Sequence, residues 1–266
     1  MGAHVTVERT GTITRVTLDR PERRNALSLE LMEELISALS TVGSSDCRGI
    51  VLAANGPVFS AGHDFADMAG QDLAFMQELL RVCTRLMTLV QQVPQPVVAR
   101  VHALATAAGC QLVASCDMAI AAESASFALP GGRGGLFCTT PLVAVSRSIG
   151  RKRALEMAMT GDPVTAATAA DWGLVNRAVP LAELDAAVDD LMARATRGSA
   201  AAKASGKAAF YAHVDLPQPD AYEMAMKVMA EGAVSHDGQE GITSFLAKRP
   251  PVWLEGLTAG SVASPP

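Results

Sequence analysis

The chain opens on an alternation. Residues 4–9 and 12–19 alternate apolar and polar positions around Gly11, the period of two that a half-buried strand shows, and so predict a β-hairpin. The period then lengthens. Leu29, Leu31, Met32, Leu35, Ile36 and Leu39 recur at helical spacing and share one face, with Ser28 standing as N-cap. Gly49–Ala53 is an unbroken apolar run read as a buried strand, and Asn55-Gly56-Pro57 as a turn. A second long helical period over 72–92 is stopped by Pro94 and Pro96. A strand at 97–101, a small-residue helix at 107–115 and a strand at 118–121 follow. Beyond them the pattern is helical: 140–149, 151–160, 165–172, 183–196, 199–212, 219–235 and 238–248.

Strands alternating with helices over the first two-thirds predict an α/β architecture. No repeat or linker interrupts the chain, so the all-helical end is read as an appendage of the same fold. The expected division is 1–198 as core, 199–254 as a helical region and 255–266, rich in Gly, Ser, Ala and Pro, as a disordered tail.

Composition narrows the classes. With 49% hydrophobic and only 4% aromatic residues, the core must be aliphatic. A net charge of −5 gives no basic face for nucleic acid. The five cysteines, Cys47, Cys83, Cys110, Cys116 and Cys138, form no regular framework and suggest reduced thiols. Met1–Val5 has no signal-peptide character and no apolar run approaches about 20 residues, so neither a leader nor a membrane span is expected. The expectation from these features is a cytoplasmic protein. No spacing of histidines and carboxylates suggests a metal site, and neither a phosphate loop nor a G-x-S-x-G elbow is found.

Two stretches carry candidate chemistry. Phe59-Ser60-Ala61-Gly62-His63-Asp64 and Thr106-Ala107-Ala108-Gly109-Cys110-Gln111-Leu112 each place small residues where a strand gives way to a loop or helix start. Small side chains there leave backbone N–H groups open to a ligand oxygen, and two such groups aimed at one point form an oxyanion hole.

These stretches resemble the enoyl-CoA hydratase/isomerase (crotonase) family. Pro21–Leu27 resembles its P-x-x-x-N-A-L segment, Phe59–Asp64 its F-x-A-G-x-D loop and Ala107–Asp117 its G-G-G-x-E-L…C-D segment. Gly173-Leu174-Val175 with Val179, and Phe245–Pro250, resemble two later elements, in the family's order. The resemblance implies a spiral of ββα units followed by a helical trimerisation region, a homotrimer or pair of trimers, and an acyl-CoA ligand. No separate cofactor is implied, since CoA is part of the substrate. Carried over by position, the N–H groups of His63 and Ala108 would form the oxyanion hole for a thioester enolate. Asn25, Ala26, Leu27, Ala61 and Asp64 fall on the substrate and CoA side, although Asp64 also suits a loop-building role. Lys248 falls near the nucleotide end.

The resemblance breaks at the acid/base positions. The family's hydratases flank the double bond with two glutamates, one to activate water and one to protonate the α-carbon. Here the first position is Gln111, whose amide is no useful base near neutral pH, and the second is Gly131, with no side chain. Three readings follow: a hydratase/isomerase-type enzyme without the standard pair, an acyl-CoA-binding protein with little or no catalysis, and a thioester hydrolase using His63. Histidine titrates in the right range for acid/base work, although His63 equally suits an exposed or packing position against the pocket wall. Cys138 suits a buried inert thiol, Arg133 a solvated position, His102 a turn-tightening hydrogen bond and Asp117 a structural role. Met224, Met226 and Met229 suit core or interface.

Overall fold

The computed structural model describes residues 4–254. The expected tail at 255–266 lies outside the described residues.

Among the described residues nine strands form two sheets. In the larger, β1 (Val5–Thr10), β2 (Ile13–Leu18), β3 (Gly49–Ala54), β4 (Val97–Val101), β6 (Met118–Ala122) and β9 (Arg177–Val179) lie side by side in that order. In the smaller, β5 (Ala105–Thr106), β7 (Ser126–Ala128) and β8 (Val164–Thr165) pair. Only β1–β2 is antiparallel in the large sheet; every later neighbour is parallel and therefore needs a crossover. The crossovers are α1 (Leu29–Gly43) between β2 and β3, and α2 (Phe65–Met68) with α3 (Leu73–Gln92) between β3 and β4. Next, α4 (Ala108–Ser115) lies between β5 and β6. Then come α5 (Thr139–Ile149), α6 (Arg151–Thr160), α7 (Ala166–Trp172) and α8 (Leu184–Ala195), followed by α9 (Ala200–His213), α10 (Gln218–Val234) and α11 (His236–Leu246).

Ser28 caps α1 by accepting from the Leu31 N–H, and Asp72 caps α3 through Phe75. The unbroken apolar run of β3 is explained by burial on both faces. On one side Ile50 and Leu52 join Leu31, Leu35, Leu86 and Phe59 in the main core; on the other, Val51, Val98 and Ile120 meet Leu184, Val188 and Met192 of α8. Asp185 fastens α8 to the strands, accepting from Arg100 at 2.7 Å through both oxygens and from Arg15 at 2.9 Å.

A half-buried ion pair docks α9. Lys207 Nζ lies 2.7 Å from Asp117 and donates to the carbonyls of Val90 (3.0 Å) and Gln95 (2.9 Å). Asp117 also accepts from the Val97 N–H (2.6 Å) and the Tyr211 hydroxyl (2.8 Å). At the far end, Ser199 caps α9 and donates to Asp237 (2.5 Å), which also accepts the Leu254 N–H (3.0 Å). Beyond these anchors the surface is strongly apolar. No residue of α10 is buried, and Met229, Val234 and Phe245 are 79%, 77% and 81% exposed.

The hairpin and long helices lie where the periodicities put them. The helix α2 and strands β5, β7, β8 and β9 were not predicted; with two to four residues each, they are too short to display a period. No helix among the described residues is long and apolar enough to cross a membrane.

Candidate active site

The site is built from three segments, and the first is spent on holding the second. Arg24 and Asn25 both adopt left-handed backbone (φ 54° and 49°), turning the chain sharply before α1. Asn25 is fully buried. Its Oδ1 accepts the Arg20 N–H (2.9 Å), its Nδ2 donates to the carbonyls of Asn55 (2.7 Å) and Val58 (3.1 Å), and its carbonyl accepts from Ser60 Oγ (2.8 Å). The side chain thus clamps the loop after β3. Ala26 and Leu27 are buried, and the Leu27 N–H donates to the Gly62 carbonyl at 2.7 Å. The partly buried Ala61 donates its N–H to the Arg24 carbonyl at 3.0 Å.

The second and third segments touch. Gly62 has φ +85°, and a Cβ there would lie 2.8 Å from Ala107 Cβ and 3.2 Å from Ala108 N. A Cβ on Gly109 would lie 2.6 Å from the Ser60 carbonyl oxygen. Both contacts are closer than any side chain permits, so glycine is needed for this approach. Ala107 carries the turn at φ 51°, ψ −120°, a strained conformation for a residue with a Cβ, and starts α4 at Ala108. As the first residue of a helix, Ala108 has no intrahelical acceptor for its N–H. The His63 N–H is open for a different reason. Its bridge partner Leu27 bonds to the residues on either side, Gly62 and Asp64, which leaves His63 facing away. Among the described residues, neither N–H has an acceptor.

Around this pair the side chains divide sharply. The His63 ring is largely buried, with Nδ1 3.4 Å from the Leu27 carbonyl and Nε2 enclosed without a partner; burial holds its pKa below the ordinary 6.5. Asp64 is buried, caps α2 through Ala66 (3.0 Å) and accepts from Arg23 at 2.8 and 3.0 Å. Burial works against its charge, but the Arg23 and Ala66 bonds hold the carboxyl below its usual range. It is therefore an anchored anion that fixes the loop. Gln111, one turn into α4, is buried with its Oε1 4.0 Å from Cys83 Sγ, and its amide nitrogen donates to no described group.

Gly131 could not hold a side chain as the chain stands. A Cβ there would land on the Leu136 carbonyl oxygen and lie 2.8 Å from Cys138 Sγ. The 131–138 loop is closed on itself by the Leu136 N–H to the Gly131 carbonyl (2.9 Å) and the Gly131 N–H to Cys138 Sγ (3.3 Å). Burial pushes the Cys83 and Cys110 thiols up to about 12 and also raises Cys138, which disfavours the thiolate at these three positions. Arg133 pairs with Asp162 at 3.2 Å on the surface, and His102 Nε2 meets the Gly56 carbonyl at 2.8 Å. Lys248 lies exposed just past α11, not joined to these segments by any described contact. Among the described residues, His4, Glu30 and Glu34 alone bring three metal-ligating atoms within 4.8 Å of one another, with Glu30 exposed.

The sheet order, the paired loops and the helical end define a crotonase fold, and the chain belongs to the enoyl-CoA hydratase/isomerase family, whose profile matches residues 8–256. Within that family it is 43% identical over 243 residues to the rat protein named enoyl-CoA hydratase domain-containing protein 3, mitochondrial, covering 91% of this chain and 81% of the relative. The crystal structure of the human domain-containing protein 3 superposes with a TM-score of 0.91 at 40% identity, covering 94% of this chain and all of that one. An enoyl-CoA hydratase structure from Mycobacterium smegmatis gives 0.91 at 41%, covering 94% and 98%. The cytoplasmic expectation is overturned: five relatives at 40–43% identity are named mitochondrial proteins. Composition and a short N-terminal stretch hold no information that would have separated the two.

Proposed function

We propose that this chain binds acyl-CoA thioesters and holds the thioester oxygen between the N–H groups of His63 and Ala108. The observation that supports this reading best is that two unpaired N–H groups sit on segments forced together at Gly62. A thioester oxygen gains negative charge when its α-carbon loses a proton, and fixed donors stabilise that charge without reorganising; one donor contributes roughly 2.7–4 kcal/mol. Hydration by paired carboxylates is not part of the proposal. Gln111 offers a neutral amide to orient a ligand or a water, and the Gly131 position is filled by the Leu136 carbonyl. Asn25, Ala26, Leu27 and Ala61 act through their backbone, as the wall against which the CoA moiety lies. Asp64 keeps that wall in place, and Lys248 is assigned to the nucleotide end.

The exposed apolar faces of α10 and α11 support self-association through residues 199–254, as a homotrimer or pair of trimers. Light scattering on the eluting protein tests this, with a monomer as the refuting result.

Calorimetric titration with butyryl-CoA and with free CoA tests the ligand reading. Tighter binding of the thioester supports it. Equal affinity for both ligands in the unaltered chain would refute the thioester contact.

A further inference from the structure

We propose that His63 is the proton-transferring group of this site: its Nε2 takes a proton from the α-carbon of a bound acyl-CoA thioester and returns it. This rests on the acyl-CoA reading above and supplies what that reading lacks, a base. The inference starts from an orphaned atom. Nε2 is enclosed by protein and has no hydrogen-bond partner among the described residues. Leaving a buried polar atom unpaired costs roughly 1–3 kcal/mol, so such an atom calls for an explanation. Nδ1 faces the Leu27 carbonyl, an acceptor only, which assigns the proton to Nδ1 and leaves the lone pair on Nε2.

The position of the ring matters as much as its state. His63 contributes the free backbone N–H as well as the side chain, so the oxygen-holding donor and the unpartnered lone pair belong to one residue. In a thioester the α-carbon is two bonds from that oxygen. One residue therefore presents a donor for the developing charge and an acceptor for the proton that creates it.

The other groups of the site do not compete. Cys83 and Cys110 are held protonated by burial, the Asp64 carboxylate is tied to Arg23 and lies near Arg20, Gln111 does not titrate and position 131 has no side chain. No charged group contributes to the state of the ring. Burial holds its pKa below the ordinary 6.5, opposed by the Leu27 carbonyl. A neutral imidazole is the form a base needs, and the cation it becomes is countered by the enolate formed beside it.

The step balances without a further reactant. The Cα–H bond breaks, the proton passes to Nε2, and the electron pair forms the Cα–C double bond of the enolate while the carbonyl oxygen takes the negative charge. Return of a proton to the α-carbon reverses the step; in an unsaturated acyl chain, return at the γ-carbon would shift the double bond.

The experiment is α-proton exchange of butyryl-CoA in D₂O, followed by mass spectrometry across a pD series, with butyryl-CoA affinity measured on the same samples. The unaltered chain should exchange faster than buffer, and its rate should rise with pD through an apparent pKa below 6.5 and then level off. His63→Gln and His63→Ala should bind butyryl-CoA within a few-fold, keep their circular dichroism and lose at least about 100-fold in exchange. Added imidazole should restore part of the loss in His63→Ala. Exchange at the unaltered rate in His63→Gln, or binding of butyryl-CoA by the unaltered chain without exchange, would overturn the assignment while leaving the acyl-CoA reading intact. Failure of butyryl-CoA to bind would remove that reading and this one with it.

Discussion

Gly62→Ala is the substitution that most directly tests the meeting of the two loops. The new methyl group would lie 2.8 Å from Ala107 Cβ, 3.1 Å from the Thr106 carbonyl oxygen and 3.2 Å from Ala108 N, and the backbone would have to keep φ +85°. Left-handed backbone costs an L-residue roughly 1–2 kcal/mol, and forcing an extra methyl into a packed site costs typically about 1–3 kcal/mol. Neither neighbour can yield cheaply. Ala107 is itself strained at φ 51°, and Gly109 behind it is packed on Ser60. A combined loss of about 3 kcal/mol should lower the melting temperature by roughly 6–12 °C, at the 2–4 °C per kcal/mol typical of chains of this size. The displacement should also part the Ala108 and His63 N–H groups. Scanning calorimetry gives the first number; titration with butyryl-CoA against free CoA gives the second, as a fall in thioester affinity with CoA affinity retained. A variant that melts within 2 °C of the parent and binds both ligands unchanged would refute the argument that this glycine sets the site.

Three further outcomes are expected. Lys207→Ala leaves Asp117 buried with only the Val97 N–H and Tyr211 hydroxyl, so chemical denaturation should show about 3–5 kcal/mol lost and α9 released first in hydrogen exchange. Asp185, hydrogen-bonded by Arg100 and Arg15, has its carboxyl held at about 2 against an ordinary 3.8, so it stabilises the fold above pH 4 and that contribution is lost as pH falls from 4 to 2. Because the carboxylate is half exposed the effect should be about 1 kcal/mol, visible as a shallower acid limb in melting temperature for Asp185→Asn than for the unaltered chain. The double variant Gln111→Glu, Gly131→Glu should destabilise the chain without creating hydration of crotonyl-CoA, since the second side chain must displace the Leu136 carbonyl; hydration by that variant would contradict the assigned geometry.

The parts of this protein that could be read from sequence are those with a period or a local signal. The hairpin around Gly11, the Ser28-capped helix and the 72–92 helix fell into that class because each shows its period for six residues or more. The smaller sheet did not, since β5 and β8 have two residues each and are defined by pairing with distant segments, β7 above all. At the site, the resemblance pointed to the two small-residue stretches and implied that Gln111 and Gly131 stand in for the hydratase glutamates. What the remaining residues do depends on partners far along the chain. Asn25 resembles a CoA-side residue in sequence, yet its amide is consumed by Asn55 and Val58. Asp64 is held from 41 residues away by Arg23, and the glycine at 131 is required by a carbonyl five residues on. The orphaned Nε2 of His63 is visible only once the ring is seen enclosed.

The central claim is that the chain holds an acyl-CoA thioester through two backbone N–H groups while lacking the carboxylate pair that hydrates it. Following the enone absorbance of crotonyl-CoA, with binding measured on the same sample and a two-glutamate hydratase as control, tests both halves. The account predicts saturable binding with no rapid loss of absorbance. Loss at a rate comparable to the control would show that another group activates water and that the reading of Gln111 and Gly131 is wrong, and absence of binding would contradict the thioester contact itself.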